Sequence, residues 1–281
     1  MTRLMDLKPT PWGTVRFLAL LTLAIIWTYP FVWLVSASLK GQLEIFSKGL
    51  NLIPDEFLWS NYQRAWVNAG FSVYMFNTVL VTAGTVVLVV FHTALSGYVL
   101  GRYDFIGRRV IIGILAATLV VPVGVTIIPI VDVVSTLGLI NSRWGIILAL
   151  AGGAQAAAIL LYAGYFRGLP KELEESARLD GAGFFRIFFS VMLPLAGPVT
   201  ATVSVLTFLA AWNTFLIPLV FTFGAPELRT LPVGMLAFVG TNETDWSGMA
   251  AAATISLLPV VVFFFFVQRY FVEGVAGAVK A

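Results

Sequence analysis

The chain has 281 residues, 59% of them hydrophobic and only 11% charged, with a mean hydropathy of +0.93. So few charges cannot cover a water-soluble domain, which makes this an integral membrane protein, and a net charge of +3 is too small to argue for nucleic acid as a partner. Cys is absent and His92 is the only histidine, so disulfides, thiolate chemistry and His-based metal sites are excluded.

Six apolar segments are long enough to cross a bilayer as helices, near 14–38, 72–101, 109–135, 144–166, 198–222 and 249–271. The first has a cleavage-like Val35-Ser36-Ala37, but its apolar run exceeds a signal h-region and reads as an uncleaved span. In the second, Gly97 and Gly101 have the spacing that lets two helices approach closely, and His92 reads as a packed or interhelix-bonded side chain. Pro122 and Pro129 are expected to kink the third. Gly152, Gly153, Ala154, Ala156, Ala157 and Ala158 give the fourth a smooth packing face. With the N-terminus inside, 12 of the 17 Lys and Arg fall on the cytoplasmic side, so both termini are expected there. The larger outer connections, about 40–70 and 223–248, carry acids and tryptophans such as Glu44, Trp66, Asp245 and Trp246.

Between the fourth and fifth spans the apolar sequence is interrupted by a charged island, Arg167 to Pro198. Pro170 suits a first helical position, and Glu172, Glu174 and Glu175 suit the positive end of a helix dipole. Asp180-Gly181 should close that helix, and a second helical run through Phe184, Phe188 and Met192 is expected to end at Pro194. Two short helices joined at a glycine elbow make a compact knob.

Glu175-Ser176-Ala177, three residues, Gly181, nine residues, Val191, one residue and Leu193-Pro194 reproduce the spacing of the EAA loop, and Asp180-Gly181-Ala182 matches its core. The chain thus resembles the permeases of ABC importers, with Ser176 standing where that family usually has Ala. The resemblance covers nearly the whole chain and narrows to the carbohydrate, maltose-type branch. It runs through Leu52-Ile53-Pro54, Asn61-Tyr62, Phe76-Asn77-Thr78, Leu137-Gly138-Leu139-Ile140-Asn141-Ser142, Trp212-Asn213 and Arg229-Thr230-Leu231-Pro232. Asp132 departs from the branch, which favours an uncharged residue nearby.

The resemblance implies an all-α membrane protein of the type I ABC importer permease kind, with six transmembrane helices and a cytoplasmic two-helix coupling loop. Residues 1–13 would be a cytoplasmic lead and 14–281 one six-span domain, with the loop at about 167–197 and a tail at 272–281. The function implied is ATP-driven, binding-protein-dependent sugar import across the cell membrane. Glu172, Glu175, Ser176, Ala177, Arg178, Asp180, Gly181, Ala182 and Pro194 would meet the ATPase. No Gly-Lys-Ser/Thr occurs, so this chain binds no cofactor and ATP with Mg belongs to the partner ATPase. The implied partners are a second homologous permease, a pair of ABC ATPase subunits, an extracytoplasmic solute-binding protein and the lipid bilayer.

Asn77, Asp132 and Asn213 lie in the outer half of the expected spans, where a released sugar would arrive, and Trp212 offers a stacking face. The asparagines equally suit interhelical ties, and Asp132 a rim charge. Cargo could be a sugar, a glycerophosphodiester or a polyol. An ion-coupled carrier would want buried acids, and Asp132 is the only acid within a span. A non-transporting scaffold would use the knob for docking alone.

Overall fold

The computed structural model describes residues 11–153, 155–241 and 243–278, with side chains given to Gln268. Residues 1–10 of the N-terminal lead, Ala154, and residues 279–281 of the tail therefore lie outside the described residues. Helices dominate, and the only β pairing among the described residues is a single bridge between Val239 and Thr244. In chain order the helices used below are α1 (Pro11–Ala37), α2 (Gln42–Ser47), α3 (Phe71–Arg102), α4 (Arg108–Thr118), α5 (Ile127–Thr136) and α6 (Arg143–Gly152). They continue with α7 (Ala156–Gly168), α8 (Glu172–Leu179), α9 (Phe184–Leu195), α10 (Gly197–Trp212), α11 (Leu216–Phe221) and α12 (Trp246–Ala278).

Among the described residues three helices are long and apolar enough to cross a membrane, Trp12–Ala37, Phe71–Arg102 and Trp246–Gln268, and up to five spans result if each bent pair counts as one. The third, fourth and fifth expected spans are each interrupted rather than continuous. The third stops at Thr118 and resumes through a 3-10 turn, Val123–Thr126, because Pro122 has no N–H to carry the helix on. Pro129 produces no kink, since it sits in the first turn of α5 where its missing donor is not needed. In the fourth, the Gly152–Gly153 pair ends α6 instead of smoothing a continuous face, and of Ala156, Ala157 and Ala158 beyond the break Ala156 alone is fully buried. The fifth breaks after Trp212, with Asn213 as the C-cap of α10.

The chain forms two compact units. The first comprises the residues up to Phe71 and Met235–Leu257. Its apolar centre is Ala37, Ile45 and Ala250, backed by Trp33 and Leu34. Polar ties fix its irregular segments, as they must where backbone is buried without a helix. Asn61 Nδ2 donates to the carbonyls of Ser38 at 2.9 Å and Lys40 at 3.0 Å, and the buried Lys40 Nζ donates to the Asn51 carbonyl. Gln42 bonds both Thr244 O (2.7 Å) and Trp246 N (3.0 Å), and Arg64 pairs with Asp245 at 3.2 Å.

The second unit, Ser72–Gly234 with the chain from Leu258, holds the larger cores. One gathers Tyr98, Tyr162, Phe166, Ile187, Phe188 and Met192, and another Val81, Ile146, Ile147 and Phe221. The close-approach reading of Gly97 and Gly101 is met between α3 and α7. A Cβ on Gly97 would sit 2.4 Å from that of Tyr162, and one on Gly101 2.7 Å from the Ala163 carbonyl. His92 Nε2 lies 3.1 Å from the Ala151 carbonyl, an interhelix bond.

Candidate coupling site

The knob is built in three steps from local sequence. Its first arm, α8, starts two residues later than Pro170 suggests, at Glu172, with Glu172, Glu174 and Glu175 in its first turn. Its end is a Schellman closure: Ala182 N–H bonds the Ala177 carbonyl at 2.9 Å and Gly181 N–H the Arg178 carbonyl at 3.0 Å. Gly181 supplies the left-handed residue this closure needs, at φ +79°. Ala177 and Ala182, half-buried, pack into the core as that motif's apolar contact.

The second arm, α9, passes through a π turn at Phe188–Met192 and reaches Leu195, so Pro194 does not end it. A wider turn immediately before a proline relieves the clash its ring would make with the preceding carbonyls, which explains the difference. The real corner follows one residue later, where α9 and α10 meet at a bend of 79°. Ile187, Phe188, Met192 and Ala196 anchor the inner side of this corner and are fully buried.

A buried ion pair that the sequence did not signal pins the knob. Arg102, the last residue of α3, donates through Nε to Glu174 Oε2 at 2.9 Å. Its terminal nitrogens reach the carbonyls of Phe166 (3.2 Å), Leu169 (2.7 Å) and Pro170 (3.2 Å). The two side chains are only 3% and 7% exposed. One guanidinium thus satisfies the carbonyl end of α7 and holds α8 against α3. Glu174 belongs to the same acidic run as the predicted contacts, yet it points inward.

The remaining predicted residues divide by exposure. Glu172, Glu175, Ser176, Arg178, Asp180, Gly181 and Pro194 are exposed. Arg178 lies against the Tyr103 hydroxyl, which holds its guanidinium pKa above the usual value. Beside these polar groups Leu179 is 90% exposed and Phe185 62% exposed, an apolar tip on a charged arm.

The four candidate path residues have separate surroundings. Asn77 is fully buried; its Nδ2 donates to the carbonyls of Glu227 (2.8 Å) and Arg229 (2.9 Å), and its Oδ1 accepts from Arg143 Nε at 2.8 Å. Its neighbour Thr78 accepts from Leu231 N at 2.8 Å, so α3 holds the 227–231 segment through two adjacent side chains. Trp212 is buried and stacks on Phe208 at a centroid distance of 5.3 Å. Asn213 is exposed and bonds its own helix at Leu209 O (2.8 Å), and Asp132 is exposed on α5. Among the described residues no cluster of His, Asp or Glu could hold a metal ion.

Residues 93–277, more than half of the chain, match the family described as binding-protein-dependent transport system inner membrane component. A probable ABC transporter permease protein of Bacillus subtilis is 37% identical over 94% of this chain and 87% of its own length. The diacetylchitobiose uptake system permease of Streptomyces coelicolor is 34% identical, covering 92% and 85%. The arabinooligosaccharides transport system permease of Bacillus subtilis is 32% identical, covering 98% and 99%. Among solved structures, a chain of a bacterial ABC transporter involved in the import of the acidic polysaccharide alginate superposes with a TM-score of 0.79 at 27% identity, over 92% of this chain and 96% of that one. The fold, the apolar helices and these matches make the chain a member of the inner-membrane permease family of binding-protein-dependent ABC importers, a multi-pass, non-enzymatic transport subunit.

Proposed function

We propose that this permease serves an oligosaccharide importer and that the α8–α9 knob is where its ATPase engages. The observation that carries the coupling assignment is the two-sidedness of the knob. Its inner side is fixed by the Arg102–Glu174 pair and buried aromatics, while its outer side presents Glu175, Leu179, Asp180 and Phe185 exposed. A rigid body with a free charged and apolar face can receive a push and pass it on. Sugar as cargo rests on the carbohydrate relatives.

In this reading six spans cross the membrane, both termini and the knob are cytoplasmic, and the interrupted third to fifth spans line the path beside a second, homologous permease. An extracytoplasmic binding protein delivers sugar, and closure of an ATPase pair on ATP and Mg shifts a two-state bundle from inward- to outward-facing. Asp132 and Asn213, both exposed, are the better placed of the four candidates to meet sugar hydroxyls. Asn77 and Trp212 already have their partners inside the chain and act as supports.

Glu175→Lys and Gly181→Pro test the coupling assignment. Both variants should insert normally yet lose ATPase co-purification and uptake, whereas wild-type uptake in both would overturn it. Binding-protein-stimulated ATP hydrolysis with a panel of oligosaccharides, polyols and glycerophosphodiesters tests the cargo. Stimulation by only the last two would remove the sugar assignment.

A further inference from the structure

Outside the knob's outer face, the same end of the second unit carries a cleft of about 570 Å3 between the start of α4 and the α7–α8 corner. Arg102, Arg108, Arg109, Arg167 and Lys171 line it, against a single acid, Asp104. Two of the cations are spent: Arg102 on Glu174 and the three carbonyls, Arg108 on Asp104 and the Leu100 carbonyl. Arg109, Arg167 and Lys171 are exposed and form no ion pair among the described residues. The N-terminus of the 11-residue helix α4 opens at the same place behind Gly107, a cap with no side chain to accept from its free amides. Three unneutralised cations and a positive helix end around one cleft repel each other unless an anion occupies it.

What lies next to the cleft decides which anion. Ile112 closes one wall. Phe105 and Ile106, in the short turn between the lining residues Asp104 and Arg108, are exposed. A free phosphate would use the cations and leave these apolar groups bare. A lipid would seat its phosphate in the cleft and lay its chains against Phe105, Ile106 and Ile112.

We infer that the Arg109–Arg167–Lys171 cleft is a binding site for the phosphate headgroup of an anionic membrane lipid. The inference takes from the proposed function only that this end of the bundle faces the cytoplasmic leaflet, where anionic headgroups meet basic clefts between spans. An occupied cleft would neutralise the ground beneath the α7–α8 corner, so the lipid would help to hold the knob in place.

The test uses the complex purified from membranes, with native mass spectrometry to count retained phosphatidylglycerol. Thermal shift then compares added phosphatidylglycerol, phosphatidylcholine and millimolar inorganic phosphate. Phosphatidylglycerol alone should be retained and should stabilise. Each of Arg109→Gln, Arg167→Gln and Lys171→Gln should weaken it roughly fivefold, and the triple variant on the order of 100-fold. Lys48→Gln, which removes a cation that pairs with Asp55 and does not line the cleft, should leave retention unchanged. If the triple Gln variant folds poorly, the Arg109→Lys and Arg167→Lys pair keeps charge and should keep the lipid. Equal retention of both lipids, an unaffected triple variant, or a shift reproduced by inorganic phosphate would each overturn the lipid assignment. Because lipid retention is read without transport, its failure leaves the importer reading standing, and the reverse also holds.

Discussion

Replacing Arg102 by Met should loosen the knob while leaving the spans inserted. The guanidinium it removes is the ion-pair partner of Glu174 and the donor to three carbonyls at the end of α7. With Glu174 7% exposed, the stranded carboxylate is largely cut off from water, a situation that costs about 3–5 kcal/mol. Each orphaned carbonyl adds at most about 1 kcal/mol, since those nearest the surface can recruit water. Every 1.4 kcal/mol is a factor of ten, so amides over 169–179 should exchange about a hundredfold faster or more. Glu174→Met alone should cost a similar amount by leaving Arg102 uncompensated. The double Met variant buries no charge and should cost only about 1–3 kcal/mol, so the two substitutions should fall short of additivity by at least about 2 kcal/mol. Hydrogen exchange and thermal melts of the detergent-purified complex read both quantities. Unchanged exchange over 169–179 in Arg102→Met, or strict additivity in the cycle, would refute the pinning argument.

Five other variants have expected outcomes. Gly97→Ala puts a methyl 2.4 Å from the Tyr162 Cβ and should cost about 1–3 kcal/mol and lower the yield of folded protein. Gly113→Ala, with open space around it, should be neutral or better by size-exclusion yield. Gly181→Ala meets no atom within 4 Å but must hold φ +79°, so it should cost about 1–2 kcal/mol, visible as faster exchange at 178–183. Asn77→Ala removes three hydrogen bonds and should cost about 3 kcal/mol, opening the 227–231 segment to proteolysis. Asp132→Asn should change stability little.

How far the sequence reaches depends on whether the cause is local. The elbow was legible because a left-handed glycine after Asp180 and the small pair Ala177–Ala182 are short-range chemistry. Gly97 and Gly101 announced a close approach for the same reason, although not its partner α7. Arg102 and Glu174 were hidden because 72 residues separate them and Glu174 looks like its neighbours in the acidic turn. A tying role for Asn77 was open in the sequence, but its partners were hidden because it grips backbone carbonyls 150 and 152 residues away, and carbonyls have no residue code. The π turn at 188–192 had no signal beyond the proline that follows it.

The corner where α9 meets α10 turns the chain by 79° without losing contact on its inner side, where Phe188, Met192 and Ala196 are fully buried. A right-angled joint packed that tightly behaves as a crank. With 16 residues in α10, the far arm is about 24 Å long, and a 10° turn of the short arm would carry its tip through about 4 Å. In the proposed importer, a small rotation of the knob would thereby become sideways travel about 24 Å away, at the far end of α10.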